Sequence, residues 1–446
     1  MLYSQLSQRL LEQASSAQKF VLALSGGLDS RVLLHLLGRF KKQHPTYQYI
    51  AVHVHHGLSQ NADDWMQQCE AWCQQENIEF HGEKVQLELG ARISIEQAAR
   101  DARYQALAKY VDNQSLLLTA HHQGDQLETF LLALKRGSGP KGLSAMAFNM
   151  PFAGGELFRP LLDLPRTQLE QYAQQHQLEW VEDESNQDTR FDRNFIRHEI
   201  APALKQRWPN IEQSVARSAA LCAEQESLLK ELLIERYQSM QRENGSLAIE
   251  SLKTQSPAAR NAILRMWLDE SGFPMPSMKQ LAQCWQDVAL AQTDAAPIFR
   301  FGNTQIGRHN DRLYVFAVQQ DLSQQVLEWD IQQALELPDG LGRLELKSLD
   351  ADFDVQSLKA KSIQTLTLPE DIQHIQVQFK ATGILAHPET RQHSRALKKL
   401  LQEYDVPVWQ RNRIPFLMQN DQLIAVAGLF VEKNHSGVTH QLIWYP

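Results

Sequence analysis

Residues Ser25-Gly26-Gly27-Leu28-Asp29-Ser30 stand between the apolar run Phe20-Val21-Leu22-Ala23-Leu24 and a helical stretch, Arg31-Val32-Leu33-Leu34-His35-Leu36-Leu37. Strand, tight glycine turn and helix in that order make a phosphate cradle. Two adjacent glycines let the backbone approach an anion with no Cβ in the way, and the helix start offers unpaired N–H groups and the positive end of its dipole. Asp29 adds a carboxylate where a metal ion bridging phosphates would sit.

Two common nucleotide loops are excluded. Neither G-x-x-x-x-G-K-[ST] nor G-x-G-x-x-G follows this strand. The hexapeptide S-G-G-x-D-S resembles instead the pyrophosphate loop of the ATP pyrophosphatases, which cleave ATP between the α and β phosphates and transfer AMP to an oxygen. A bare glycine pair would be only a strand-to-helix connection; the full six residues in this setting point to ATP.

Further along, Asp125 and Glu128 open a helix after the run Ser115 to Ala120, and residues three apart share a helix face. They would hold Mg²⁺ opposite Asp29 or act as a base, unless they only complement the helix dipole. His121 and His122 are weaker candidates because neighbouring side chains diverge. Arg136-Gly137-Ser138-Gly139-Pro140-Lys141-Gly142 closes the same helix with a flexible basic loop, suited to phosphate or RNA backbone, or else simply a glycine cap. No His/Cys set has zinc spacing.

The elements that must position these groups follow from the pattern. Between Lys19 and about Trp180, short β-rich runs (Tyr49 to Val54, Glu83 to Val85, Ser115 to Ala120, Leu157 to Pro160) alternate with helical ones, which predicts an α/β domain with a parallel sheet covered on both faces. Ser94 and Gln97 read as a capping box ahead of Ala98 to Tyr104. Ligands of such sheets sit at the carboxyl ends of strands, where Ser25, His53 to Gly57 and His121 to Asp125 fall. Helical periodicity then runs from Ile211 to about Gln241, Ala258 to Leu268 and Met278 to Ala291; from about Leu322 period-two alternation prevails, as in Ile375 to Phe379, with a turn at Pro338-Asp339-Gly340 and a helix from Ser394 to Glu403. The expected organisation is three domains: 1–210, α/β and catalytic; 211–321, helical; 322–446, α+β.

Cys69, Cys73, Cys222 and Cys284 are too few and scattered for a disulfide framework, and no segment is apolar enough for a leader or a membrane span, so a cytoplasmic enzyme without membrane partners is expected. The net charge of −8 argues against a nucleic-acid partner when taken alone. Its distribution argues otherwise. Arg391, Arg395, Lys398, Lys399, Arg411 and Arg413 cluster with Tyr404 and Trp409, and Arg190, Arg193, Arg197, Lys205 and Arg207 form a second basic stretch.

Several segments together resemble the tRNA(Ile)-lysidine synthetase family: His53-Val54-His55-His56-Gly57-Leu58, Ala99-Arg100-Asp101-Ala102-Arg103-Tyr104, Asp125-Gln126-Leu127-Glu128-Thr129, Arg136-Gly137-Ser138-Gly139, Arg159-Pro160-Leu161-Leu162, and Asp183-Glu184-Ser185-Asn186 with Arg193-Asn194. The likeness extends to Leu397-Lys398-Lys399-Leu400 and Val406-Pro407-Val408-Trp409, nearly the whole chain. One departure stands out, for Gly124 occupies a position where many members carry an acid before Asp125. The resemblance implies ATP, Mg²⁺, free L-lysine and the isoleucine tRNA with anticodon CAU. Its wobble cytidine would be adenylated at C2 and then receive lysine, releasing AMP and pyrophosphate and moving codon recognition from AUG to AUA. On this reading Ser25, Gly26, Gly27, Leu28 and Ser30 cradle the phosphates, Asp29, Asp125 and Glu128 handle Mg²⁺ or protons, Arg103 stabilises charge and His53 lines the nucleotide pocket. Arg193, Arg197, Arg395, Lys398 and Lys399 meet tRNA; homodimerisation is left open. The competing readings are a tRNA thiolase, which normally needs paired reactive cysteines, and a tRNA-binding module without catalysis. Cys69 and Cys73, one helical turn apart beside Trp65 and Trp72, read better as a buried apolar face.

Overall fold

The computed structural model describes residues 2–13, 17–57, 59, 61–87, 95–292, 295–348, 360–369 and 372–445. Leu58 and Ser94, named above, lie outside them. The chain divides into two compact units, Met1–Leu232 and Leu233–Pro446.

In the first unit, β1 (Lys19–Ala23), β2 (Gln48–His55), β3 (Glu79–Lys84), β4 (Ser115–Leu118), β5 (Asn149–Phe152) and β6 (Gly155–Phe158) form one sheet in the order β3-β2-β1-β4-β6-β5. All pairings are parallel except β5 with β6. Strands buried on both faces must be apolar throughout, and all four residues of β4 are buried. Side-chain alternation along β1 sends Phe20 and Leu22 into one core, with Leu33, Leu37, Phe40 and Trp72, and Val21 into the other, with Val52, Leu107, Leu117 and Leu157. The first core lies under α1 (Leu2–Gln13), α2 (Leu28–Gln43), α3 (Ala62–Gln75) and α7 (Arg166–Gln175); the second lies under α4 (Ile95–Ala108).

Strand order reverses beside β1, since β2 follows it on one side and β4 flanks it on the other. The crevice at the carboxyl ends of β1 and β4 is therefore the switch point where such sheets bind ligands. The glycine loop enters it from β1. From β4 comes α5 (Gln123–Lys135), whose carboxyl end is followed by the short α6 (Pro140–Leu143).

Several strands depart from the sequence reading. The third runs over Glu79–Lys84 rather than Glu83 to Val85, because an edge strand needs one apolar face only and its polar residues conceal it. The expected run Leu157 to Pro160 begins earlier, as β6, and its hairpin partner β5, joined through Ala153 and Gly154 with φ of 48° and 89°, is missing from the expectation; β5 carries Pro151, which is tolerated on an outer strand.

After the sheet the chain continues through α8 (Asp192–Phe195), a π-helical turn (Ile196–Ile200), α9 (Ala201–Arg207) and α10 (Ile211–Met240), whose residues from Leu233 on belong to the second unit. Beyond Leu233, helices Pro257–Glu270 and Met278–Cys284 pack through Trp267, Leu268, Leu281 and Trp285 onto an antiparallel sheet that includes Ile298–Phe301, Thr304–His309 and Arg312–Ala317. The expected helical segment is therefore half sheet. Its two hairpin turns, at Gly302-Asn303 and Asn310-Asp311, carry the residues that left-handed turns favour, and Asn310 and Asp311 have φ of 46° and 55°. Two further antiparallel sheets follow, of five and four strands, around Trp329, Leu344, Val377 and Leu417. The late helix spans Leu397–Glu403, three residues shorter than expected, because Arg395–Ala396 pair with Leu385–Ala386 as a strand.

Candidate active site

The glycine loop is held by its own side chains. Ser30, 3% exposed, donates its hydroxyl to the Gly27 carbonyl at 3.0 Å and accepts the Gly26 N–H at 3.1 Å; Ser25 Oγ lies 3.0 Å from Ser30 Oγ and is itself exposed. Ser30 thus shapes the cradle, while Ser25 and the N–H groups opening α2 face outward to it. Leu28 is buried beneath the turn. Gly26 has φ +88°, and a Cβ there would stand 2.6 Å from Val181 Cγ2 and 3.2 Å from Cys69 Sγ. Gly27 has no such restriction, its nearest neighbour being Ser25 Oγ at 3.7 Å. Gly26→Ala should cost about 1–3 kcal/mol of local strain and cut AMP formation at least about tenfold by moving the cradle; Gly27→Ala should stay close to the parent. Thermal unfolding and AMP release, measured on both, check the contrast.

His53 is 5% exposed and donates its Nδ1–H to the Leu24 carbonyl at 2.9 Å. Here the structure departs from the sequence reading, since the ring braces the end of β1 from beneath rather than facing an open pocket. Further along the same motif, His56 Nε2 accepts from Arg103 Nε at 3.4 Å. Burial, and next the charge of Arg103, push the His56 imidazolium down to about 4, so the ring is neutral at physiological pH. Arg103 itself is exposed on α4.

His122 caps α5, accepting the Gly124 N–H on Nδ1, while Asp125 Oδ2 accepts the backbone N–H of His122 at 2.9 Å. Asp125 and Glu128 follow on one face, buried at 7% and 3% exposure. The sequence reading supplied no cations for them. The structure places two: Arg197 Nε bonds Glu128 Oε1 at 2.6 Å, Arg193 Nε bonds Glu128 Oε2 at 2.8 Å, and both guanidinium groups reach Asp125 Oδ1 at 3.2 and 3.3 Å. Burial works to raise the Asp125 carboxyl, but its electrostatic interactions with His122, His121 and Arg193, and the backbone N–H of His122 on Oδ2, outweigh it and hold it well below the usual range. Arg193 and Arg197, read from sequence as tRNA contacts, are therefore turned inward onto the acids. The signal was available, because basic residues four apart after the acidic Asp183 to Asp188 segment form one helix face. Asp183 and Asn194 fold that segment, Asp183 Oδ1 accepting the Ser185 N–H and Asn194 donating to the Ser185 and Asp188 carbonyls.

Asp29 differs from the other acids. Its Oδ1 is buried without a hydrogen-bond partner among the described residues, and burial raises its carboxyl against the pull of His122 and Arg166. An ionised oxygen left so beside a phosphate cradle fits a divalent cation, since Mg²⁺ is commonly held by one or two carboxylates plus substrate phosphates. Glu128 fits less well, both of its oxygens being engaged by arginine. Among the described residues no group of three or more His, Cys, Asp and Glu side chains has metal-site geometry.

Cys69 and Cys73 are fully buried, and burial pushes both thiols up to about 12. Thiols so protonated are poor nucleophiles. In the second unit Arg391 and Arg395 pair with Glu403, and Arg413 pairs with Asp339. Lys398 and Lys399 are exposed, with no acid paired to them among the described residues.

Fold, switch-point crevice and glycine loop define a PP-loop nucleotide-binding domain, and the family model described as a PP-loop domain matches residues 2–204. The models described as TilS substrate binding domain and TilS substrate C-terminal domain match residues 247–314 and 375–444. A tRNA(Ile)-lysidine synthase from Vibrio vulnificus is 51% identical over 443 residues, 99% of each chain, and one from Photobacterium profundum is 50% identical over 444 residues, 100% of this chain and 99% of that one. The chain belongs to the tRNA(Ile)-lysidine synthase family, a family of ligases with an ATP-utilising PP-loop domain. Among solved structures, a tRNA thiolase from Methanococcus maripaludis with its iron–sulfur cluster aligns at TM-score 0.42 and 18% identity over 50% of this chain and 80% of that one.

Proposed function

We propose that this chain ligates free L-lysine to C2 of the wobble cytidine in the isoleucine tRNA with anticodon CAU. The C2 carbonyl oxygen attacks the α-phosphorus of ATP, the α–β bridge breaks, and pyrophosphate leaves. The ε-amine then attacks C2, loses a proton and displaces AMP. Adenylation is needed because a carbonyl oxygen is a poor leaving group while AMP is a good one. The observation that carries this reading is the buried, unpartnered Asp29 Oδ1 beside the glycine loop, in a chain half identical over its length to lysidine synthases.

Roles follow from what each group touches. Ser25 and the backbone of Gly26 to Ser30 receive the phosphates, with Ser30 holding the loop's shape. Asp29 would hold Mg²⁺, which neutralises phosphate charge and eases departure of pyrophosphate. Asp125, kept ionised, serves metal or proton handling, while Glu128 anchors Arg193 and Arg197 beside it. Arg103 lies on the exposed side, where it would offset charge on the nucleotide or the tRNA. No helix among the described residues is long and apolar enough to cross a membrane.

Incubation with ATP, labelled lysine and a CAU-anticodon isoleucine tRNA transcript tests partner, cofactor and nucleophile at once. Lysine-labelled tRNA with stoichiometric AMP and pyrophosphate is expected. ATP cleavage followed by sulfur transfer would replace this reading with the thiolase, and tRNA binding without ATP cleavage would replace it with a binding module. The buried, strongly protonated Cys69 and Cys73 speak against the first.

The second unit is assigned to tRNA binding through Lys398 and Lys399. Replacing both with glutamate should weaken tRNA affinity by about tenfold or more and flatten its dependence on salt, since each lost phosphate contact removes roughly one unit of slope. Affinities measured across a salt series, and unchanged, would take this helix out of the interface.

A further inference from the structure

His122 has no role in the reading above beyond capping a helix, yet its ring is 4% exposed and stands among the acids. Its Nδ1 accepts the Gly124 N–H at 3.0 Å. An imidazole nitrogen that accepts carries no proton, so this hydrogen bond assigns the proton of the neutral ring to Nε2. Nε2 in turn lies 3.8 Å from Asp29 Oδ2 and 3.6 Å from Asp125 Oδ2, on elements that come from different strands. Both separations exceed a hydrogen bond, so the N–H acts on the two carboxylates as a shared dipole. One oxygen of each acid therefore faces the ring. For Asp29 the other oxygen is the buried, unpartnered Oδ1.

Whether the ring can occupy this place depends on residue 124. A Cβ there would stand 2.8 Å from His122 Cε1, 3.1 Å from Nδ1 and 3.3 Å from Glu212 Oε1. The backbone at this position does not require glycine, because its φ is not among the positive ones. In this chain, however, a Cβ at 124 would force the imidazole to shift from its present place beside the Oδ2 edges of the acids.

We propose that His122 is a positioning residue for the acidic site, its Nε2–H orienting the Oδ2 edges of Asp29 and Asp125 so that Asp29 Oδ1 is presented to a divalent cation. The inference rests on the reading of Asp29 as a cation ligand. Partners that orient a ligating side chain typically contribute about 10–100-fold in metal affinity. The long contacts here put the expected effect at the lower end, about tenfold.

The test uses Mn²⁺ as probe, with free Mn²⁺ followed by electron paramagnetic resonance as it is titrated into the full-length protein with an ATP analogue carrying an α,β-methylene bridge. His122→Asn keeps a preferred capping residue for α5 but lacks the N–H that reaches both carboxylates. Its Mn²⁺ dissociation constant should rise about tenfold at an unchanged unfolding temperature, and Gly124→Ala, which keeps the histidine, should show the same rise. Asp29→Asn should abolish the nucleotide-dependent site. If Asp29→Asn binds Mn²⁺ as the parent does, the cation reading of Asp29 fails and the inference falls with it. If Asp29→Asn abolishes the site while folded His122→Asn binds like the parent, the positioning role alone is overturned. Should His122→Asn not fold, Gly124→Ala decides, and parent-like affinity in that variant overturns the proposal.

Discussion

Asp29→Asn should reduce AMP and pyrophosphate formation by about 10²–10³-fold, the order that loss of one preorganised electrostatic contact costs, while the unfolding temperature at pH 7 stays equal to the parent's or rises. The combination follows from the isolation of Oδ1. A buried ionised oxygen without a donor favours chemistry and opposes folding, so a neutral amide of the same shape relieves the fold and loses the charge. The pH dependence has a definite sign. Burial raises the folded pKa of Asp29 above the unfolded value, so the folded chain holds that proton more tightly, and stability present in acid is lost as pH rises through the folded pKa. The difference in stability between variant and parent should therefore shrink as pH falls toward 4. Calorimetry across that range, beside AMP release at pH 7, checks both halves. Substantial turnover by the folded variant would remove Asp29 from the chemistry.

The glycine loop and the acidic helix were legible because each is local. Strand, turn and helix around Ser25 to Ser30 are fixed by neighbours in sequence, and so is the spacing that puts Asp125 and Glu128 on one face of α5. The partners of those acids are not local. Arg193 and Arg197 stand 65 or more residues from Glu128, and a basic stretch in sequence looks the same whether it faces solvent or a buried carboxylate. His53 illustrates the same limit, for only the folded sheet shows that its ring meets the Leu24 carbonyl.

Edges and hairpins were the other illegible part. β3 and β5 are the sheet's two edge strands, where one-sided burial weakens the apolar run that marked β1 and β4. In the second unit the strands between Ile298 and Ala317 follow a long helical segment, and their signal is turn chemistry at Gly302-Asn303 and Asn310-Asp311 more than hydrophobicity. The basic cluster near the end was half legible. Composition counts Arg391, Arg395 and Arg413 with Lys398 and Lys399, but the structure pairs the arginines with Glu403 and Asp339 and leaves the two lysines exposed.

The arginine pair makes the second strong expectation. Replacing Arg193 and Arg197 together with methionine should destabilise the first unit by about 3–5 kcal/mol, the usual cost of stripping a buried charge of its partners, or roughly 10 °C in unfolding temperature. Methionine keeps much of the volume, so the loss reports charge more than packing. Glu128 carries the effect: its Oε1 is bonded by Arg197 and its Oε2 by both arginines, at 2.6 to 2.9 Å, and the residue is only 3% exposed. Asp125 is affected less, because the His122 N–H still bonds its Oδ2. In the parent the folded pKa of Asp125 is depressed, so its contribution is present above the unfolded value of 3.8 and fades only as pH falls through the folded pKa. In the double variant the sign reverses for Glu128, since a buried carboxylate without a cation has a raised pKa and gains stability by taking up a proton. The stability lost at pH 7 should therefore be partly regained near pH 5, and Glu128→Gln added to the double variant should regain it at pH 7 as well. Unfolding of the double variant within about 1 kcal/mol of the parent, at a scale where surface changes fall, would show that water reaches the acids and that the arginines are not what holds them.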